Sequence, residues 1–114
     1  MKNILIILGF LTSFGVYSQS TVKTETFVVK GNCDDCKERI ENAADIKGVK
    51  ISSWDVDKKV FSVTYNPEKT SLEQIQKAIA AKGYDAGEQK GNDAAYKKLP
   101  KCCQYRDNKC EEKK

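Results

Sequence analysis

The chain has 114 residues, of which 20 are Lys or Arg, 16 are Asp or Glu and none is His, for a formal charge of +4. The charges are mixed along the chain rather than gathered into a basic stripe, which argues against nucleic-acid binding. Without histidine, Ser-His and Cys-His catalytic pairs are excluded, and a soft-metal site has to be built from thiolate with carboxylate, backbone or water oxygen.

The first segment reads as an export signal. Met1-Lys2-Asn3 is a short basic start, Ile4 to Phe14 is almost uninterrupted apolar residue, and Val16-Tyr17-Ser18 offers the modest side chains of a signal-peptidase site. The apolar core is too short to span a bilayer permanently. No cysteine precedes Cys33, so no lipid-attachment residue follows the apolar run. The expectation is a signal peptide over residues 1–18 and a periplasmic or otherwise exported chain with no stable membrane insertion after its removal. Its 96 residues carry +3, because Lys2 is lost with no acid, and suffice for one domain with a modest core.

In the remaining chain, β-branched and aromatic residues predict a strand over about Glu25–Lys30, broken by Gly31-Asn32. From Asp35 to about Ala44, Cys36, Ile40, Ala43 and Ala44 fall on one helical face, with Lys37, Glu38, Arg39 and Glu41 mostly off it. After Gly48, "VKISSWDV" reads as a second strand, "DVDKK" as a hairpin connection and "VFSVTY" (60–65) as a third strand in which Phe61, Val63 and Tyr65 share a face. Asn66-Pro67 ends it. Thr70 and Glu73 fit a capping box with Thr70 at the N-cap, opening a helix with Leu72, Ile75, Ala78 and Ile79 on its apolar stripe. Lys82-Gly83 closes that helix, and "YDAGEQ" (84–89) reads as a short edge strand.

The order β-α-β-β-α-β places both helices on one face of an antiparallel sheet: an α+β, ferredoxin-like βαββαβ sandwich. Trp54 and Phe61 are expected in its core or hairpin packing. Residues 90–114 differ in character, with a short helical turn expected at Asp93–Leu99, then Pro100 and three cysteines among charges. Lys97, Lys98 and Lys101 are read as solvating this extension, with a docking patch for an acidic partner as the alternative.

The chemistry gathers in "KGNCDDCKERI", residues 30–40. Cys33 falls in the loop after the first strand and Cys36 in the first turn of the following helix, where unpaired amides and the helix dipole favour thiolate. Gly31 permits a tight exit from the strand. Two such thiolates close on one soft ion, Cu(I) or Hg(II), without a third protein ligand, whereas a structural zinc site wants four. Asp34 and Asp35 oppose thiolate formation while attracting cations. Asp35 is a candidate oxygen ligand for a borderline divalent ion, and Asp34 a candidate N-cap.

These stretches resemble the heavy-metal-associated domain family, which includes copper chaperones, modules of heavy-metal-pumping ATPases and the periplasmic mercury-binding protein. The resemblance is carried by "VVKGNCDDCKERIE", "GVKISSWDVDKKVFSVTYNP" and "SLEQIQKAIAAKGYD", and covers about Thr24 to Gln89. It implies the ferredoxin-like fold, an ion held by Cys33 and Cys36 in an exposed loop, and an aromatic near the site at Tyr84. It also implies hand-over by ligand exchange to a partner, a metal-transporting membrane protein or efflux component. The expected division is signal peptide 1–18, heavy-metal-associated domain 19–89 and Lys/Cys-containing extension 90–114.

Two departures stand out. Where the family has methionine and a small hydroxyl residue before the first cysteine, this chain has Asn32 directly before Cys33, which implies a differently supported, more polar or mobile loop. The extension carries Cys102, Cys103 and Cys110, which read either as a Cys102–Cys110 or Cys103–Cys110 disulfide, as a second metal site, or as a source of thiolate for the ion at Cys33 and Cys36. The function expected is a monomeric soft-metal carrier or scavenger rather than an enzyme, with a metal-bridged dimer as the alternative state. Cu(I) leads, Hg(II) follows, and Zn(II) or Cd(II) gain if Asp35 or the extension contributes. The competing classes are a thioredoxin-like thiol-disulfide oxidoreductase and an interaction domain with an inert Cys33–Cys36 disulfide.

Overall fold

The computed structural model describes residues 22–107. The expected signal peptide and Cys110 lie outside the described residues. Strand β1 (Lys23–Val28), helix α1 (Asp34–Ala43), strands β2 (Val49–Asp55) and β3 (Val60–Tyr65) and helix α2 (Leu72–Ala80) follow one another as the hydrophobic periodicity requires. Helix α3 (Asp93–Lys97) and a 3-10 turn (Lys101–Cys103) come after them.

The strands form an antiparallel sheet in the order β1-β3-β2, the ferredoxin-like α+β arrangement. Alternation on β3 sends Phe61, Val63 and Tyr65 inward. The register sets Phe27 and Trp54 on either side of Phe61, and the Phe27 and Phe61 rings lie 5.3 Å apart. Against this face pack Cys36, Ile40 and Ala43 of α1, with Ala44 at its cap, and Ile75 and Ile79 of α2. Tyr96, Leu99 and Cys103 belong to the same core, so the described part of the extension is packed into the domain.

Three local expectations are corrected. Helix α2 is capped by Ser71, whose Oγ accepts from the Gln74 amide at 3.2 Å, while the Thr70 hydroxyl donates to the Gln74 side-chain oxygen at 3.1 Å. The run "TSLEQ" contains two overlapping capping boxes, one residue apart, and extended backbone at Ser71 selects the second. The buried face of α2 accordingly comprises Ile75, Gln76, Ile79 and Ala80, with Leu72 and Ala78 only half buried.

The expected edge strand over residues 84–89 is reduced to a bridge between Ala86 and Val29, supported by Lys30 N–H donating to the Asp85 carbonyl at 3.0 Å. Gly87 N–H also donates to the Val28 carbonyl, at 2.8 Å. The chain lies where a fourth strand belongs, beside β1, but folds back at once because Gly87 takes a φ of +58° and Ala86 also bridges Gln89. A side chain at Gly87 would strike the Gln76 amide, so the turn sits tightly on α2.

The loop leaving β1 is fixed from below. The Trp54 indole N–H donates to the Val29 carbonyl at 2.9 Å, and Gly31 lies on the Trp54 ring and the Ile40 tip. A β-carbon at Gly31 would come within 3.0 Å of Trp54 and 3.1 Å of Ile40, both fully packed. Glycine is required there for close approach. Gly31→Ala is therefore expected to destabilise the fold by about 1–3 kcal/mol through overpacking, read as a lower urea midpoint at unchanged slope.

Candidate metal centre

Helix α1 begins at the cysteine pair. Cys33 occupies the N-cap with extended backbone and makes no side-chain cap bond, which corrects the expectation of Asp34 as the cap. Asp34 and Asp35 instead form the exposed, acidic first turn, where they complement the helix dipole. Cys33 is half buried, and Cys36 is fully buried. The site is therefore not the exposed loop that the sequence suggested, because Cys36 shares the inward stripe of α1 with Ile40.

The Cys33 and Cys36 sulfurs are 3.9 Å apart. Asn32 serves both ends of the loop: its backbone N–H donates to the Cys36 sulfur at 3.3 Å, and its Nδ2 donates to the Cys102 carbonyl at 3.0 Å. The residue that departs from the family pattern thus fastens the loop to the extension. From the extension, the Cys103 sulfur comes to 2.8 Å from that of Cys36, longer than the roughly 2.05 Å of a disulfide. Among the described residues, Cys33, Cys36, Cys102 and Cys103 form no disulfide.

Two donor sets result, each with its atoms within 4.8 Å of one another. The inner set is Cys33, Cys36 and Cys103; the outer set is Cys33, Asp35 and Cys102, whose thiol lies 3.6 Å from the Asp35 carboxylate. They share Cys33. Burial, then the Cys36 neighbour, pushes the Cys103 thiol well above its ordinary range, so a cation has to displace its proton to bind there.

Tyr84, the aromatic that the resemblance implied near the site, belongs to the core that also holds Cys36 and Cys103. Its ring is fully buried, and its hydroxyl has no hydrogen-bond partner among the described residues. Burial, followed by the nearby Cys103 and Cys36 sulfurs, keeps the phenol protonated at any ordinary pH. It is a buried donor directed at sulfur.

Sequence reasoning missed the residues that hold the extension down. The Tyr105 hydroxyl donates to the Gly83 carbonyl and accepts from the Asp85 N–H, both at 2.8 Å, and its ring stacks on Tyr84 with centroids 5.9 Å apart. Tyr96 meets Tyr105 edge-on at 5.3 Å, and the Arg106 guanidinium lies 4.6 Å over Tyr96. Arg106 also binds the carboxylates of Asp85 and Asp93, each at 2.9 Å, and the Gly91 carbonyl at 3.0 Å. A usable signal existed in the i, i+3, i+7 spacing of Tyr96, Leu99 and Cys103, which marks one inward stripe.

The heavy-metal-associated domain family matches residues 23–85, more than half of the chain. A copper chaperone, CopZ, of Staphylococcus haemolyticus is 38% identical over 55 residues, covering 47% of this chain and 81% of its own length. A zinc-transporting ATPase of Synechocystis is 39% identical over 75 residues, 64% of this chain and 10% of the ATPase. Among solved structures, oxidised MerP from Ralstonia metallidurans superposes with a TM-score of 0.56 at 28% identity, covering 59% of this chain and 96% of MerP.

The clasp has a pH signature. Burial alone would raise the Asp85 carboxyl, but the Gly91 amide and Arg106 outweigh it and hold Asp85 below the usual carboxylate range. A depressed carboxylate contributes stability that is complete above its unfolded pKa of 3.8 and is lost as the pH falls through the folded value. The tyrosine near-UV dichroism is expected to weaken below about pH 4, and Asp85→Asn is expected to start weaker and stay flat through that window.

Proposed function

The chain belongs to the heavy-metal-associated domain family, and we propose that it is an exported carrier or scavenger of one soft metal ion. The ion is held by Cys33 and Cys36 and exchanged, thiolate for thiolate, with a metal-transporting membrane protein. The observation that carries this reading is the placement of two cysteine sulfurs 3.9 Å apart across the first turn of α1, one half open to solvent and one buried. The half-open Cys33 offers an incoming thiolate a point of attack while Cys36 keeps its hold.

Cu(I) is the ion the donors suit best. No histidine is available, the two thiolates come from a pair of adjoining loop and helix positions, and soft sulfur selects Cu(I) or Hg(II) over harder ions. The similarity to a copper chaperone supports Cu(I), and that to MerP supports Hg(II) as the second choice. Zn(II) and Cd(II) fit where an oxygen of Asp35 or further sulfur joins the pair. The amides of the first turn of α1 and the Asn32 N–H offset the negative charge that two thiolates bring.

The reduced protein is expected to bind one equivalent of Cu(I) in competition with a chromophoric chelator. The Cys33→Ser/Cys36→Ser variant is expected to weaken that binding by at least about 100-fold, since removal of two charged sulfurs forfeits several kcal/mol. Native mass spectrometry supplies the stoichiometry. Undiminished binding by the double variant would overturn the assignment to this pair.

A further inference from the structure

We propose that the extension supplies Cys103 as a third thiolate to the ion bound at Cys33 and Cys36, making a buried three-sulfur site that retains its cargo until the extension lifts. This deepens the reading of the cysteine pair as a metal site, and rests on it.

Distance favours three ligands over two. With metal–sulfur bonds of about 2.3 Å, two sulfurs in a linear site stand about 4.6 Å apart, and two in a trigonal site about 4.0 Å. Cys33 and Cys36 are 3.9 Å apart, the trigonal spacing. Cys103 lies 2.8 Å from Cys36 and within 4.8 Å of Cys33, so a side-chain shift of about 1 Å away from Cys36 completes the triangle. All three sulfurs already fall within one 4.8 Å sphere of mutual distances.

The surroundings suit such a site independently. Tyr84 carries a buried hydroxyl that lacks a partner and faces these sulfurs, so a thiolate there gives it an acceptor. The Asn32 amide already donates to Cys36, and Cys33 and Cys36 lie at the positive end of the α1 dipole. Loading exchanges thiol protons, released to solvent, for metal–sulfur bonds with no change in oxidation state.

The outer set of Cys33, Asp35 and Cys102 is a weaker competitor because it replaces a sulfur with a carboxylate oxygen and lies nearer solvent. Two of the three inner sulfurs, Cys36 and Cys103, are fully buried, so an invading ligand reaches them only when the 3-10 turn moves away. That arrangement favours keeping an ion over passing it on.

X-ray absorption of the full reduced chain with half an equivalent of Cu(I) tests this. Three sulfur neighbours are expected in the native protein and in Cys102→Ser, and two in both Cys103→Ser and Cys103→Ala. The Cys103 variants are also expected to surrender Cu(I) to a competing dithiol at least about 10-fold faster, with circular dichroism confirming that they remain folded. Two sulfurs in the native protein, or a sulfur lost in Cys102→Ser instead, would overturn the third-ligand assignment while leaving the cysteine pair intact. Binding that survives Cys33→Ser/Cys36→Ser overturns the underlying reading, so the two failures are distinguishable.

Discussion

The Tyr105 hydroxyl sits between the Gly83 carbonyl and the Asp85 amide, and the arrangement of sulfur depends on that placement. Residues 84–86 are the vestige of a fourth strand, tied to β1 by the Ala86 bridge. By bonding to both sides of Tyr84, Tyr105 anchors the extension to the sheet edge and stacks over the aromatic ring beside the metal loop. Each such hydrogen bond contributes about 1 kcal/mol, and each aromatic pair about 0.5–1.5 kcal/mol. Arg106 closes the arrangement by joining ring faces to two carboxylates. The Asp93 half of that bridge is largely solvent-exposed and contributes little, while the Asp85 half is mostly shielded.

Because the extension is held from the strand edge, its 3-10 turn faces the start of α1 at a fixed height. Adjacent cysteines in that turn point to different surroundings: Cys103 inward to Cys36, and Cys102 outward to Asp35. Asn32 reads the turn through the Cys102 carbonyl. Metal loop and extension are therefore one mechanical unit, in which any movement of the turn is felt at Cys36 through both sulfur and backbone.

The strands, helices and sheet face were legible wherever alternation or helical spacing was strong, as on β3 and along Cys36, Ile40 and Ala43. The cysteine pair was legible from its spacing and from its place between a strand and an amphipathic helix. Local frames were not: "TSLEQ" satisfies two capping boxes equally, and only the tertiary path chooses Ser71. The edge segment failed as a strand because Gly87 turns the chain back, a left-handed conformation that glycine permits but does not announce. The packing of the extension was not legible because charges surround its apolar residues, and only Tyr96, Leu99 and Cys103 declare them. That Asn32 meets Cys102 across 70 residues is a long-range contact that no local pattern encodes.

At the opposite margin of the sheet, β2 has no neighbouring strand beyond it among the described residues. There Glu41 accepts the Trp54 backbone N–H at 2.9 Å, Lys37 donates to the Trp54 carbonyl at 3.1 Å, and the two side chains pair with each other. One turn of α1 thereby occupies both main-chain groups of Trp54, one position at which another β-strand would pair. Free strand margins template intermolecular pairing, and charged side chains laid across them are a recognised deterrent. The helix that carries the thiols thus also lays a charged pair across the margin of its own sheet.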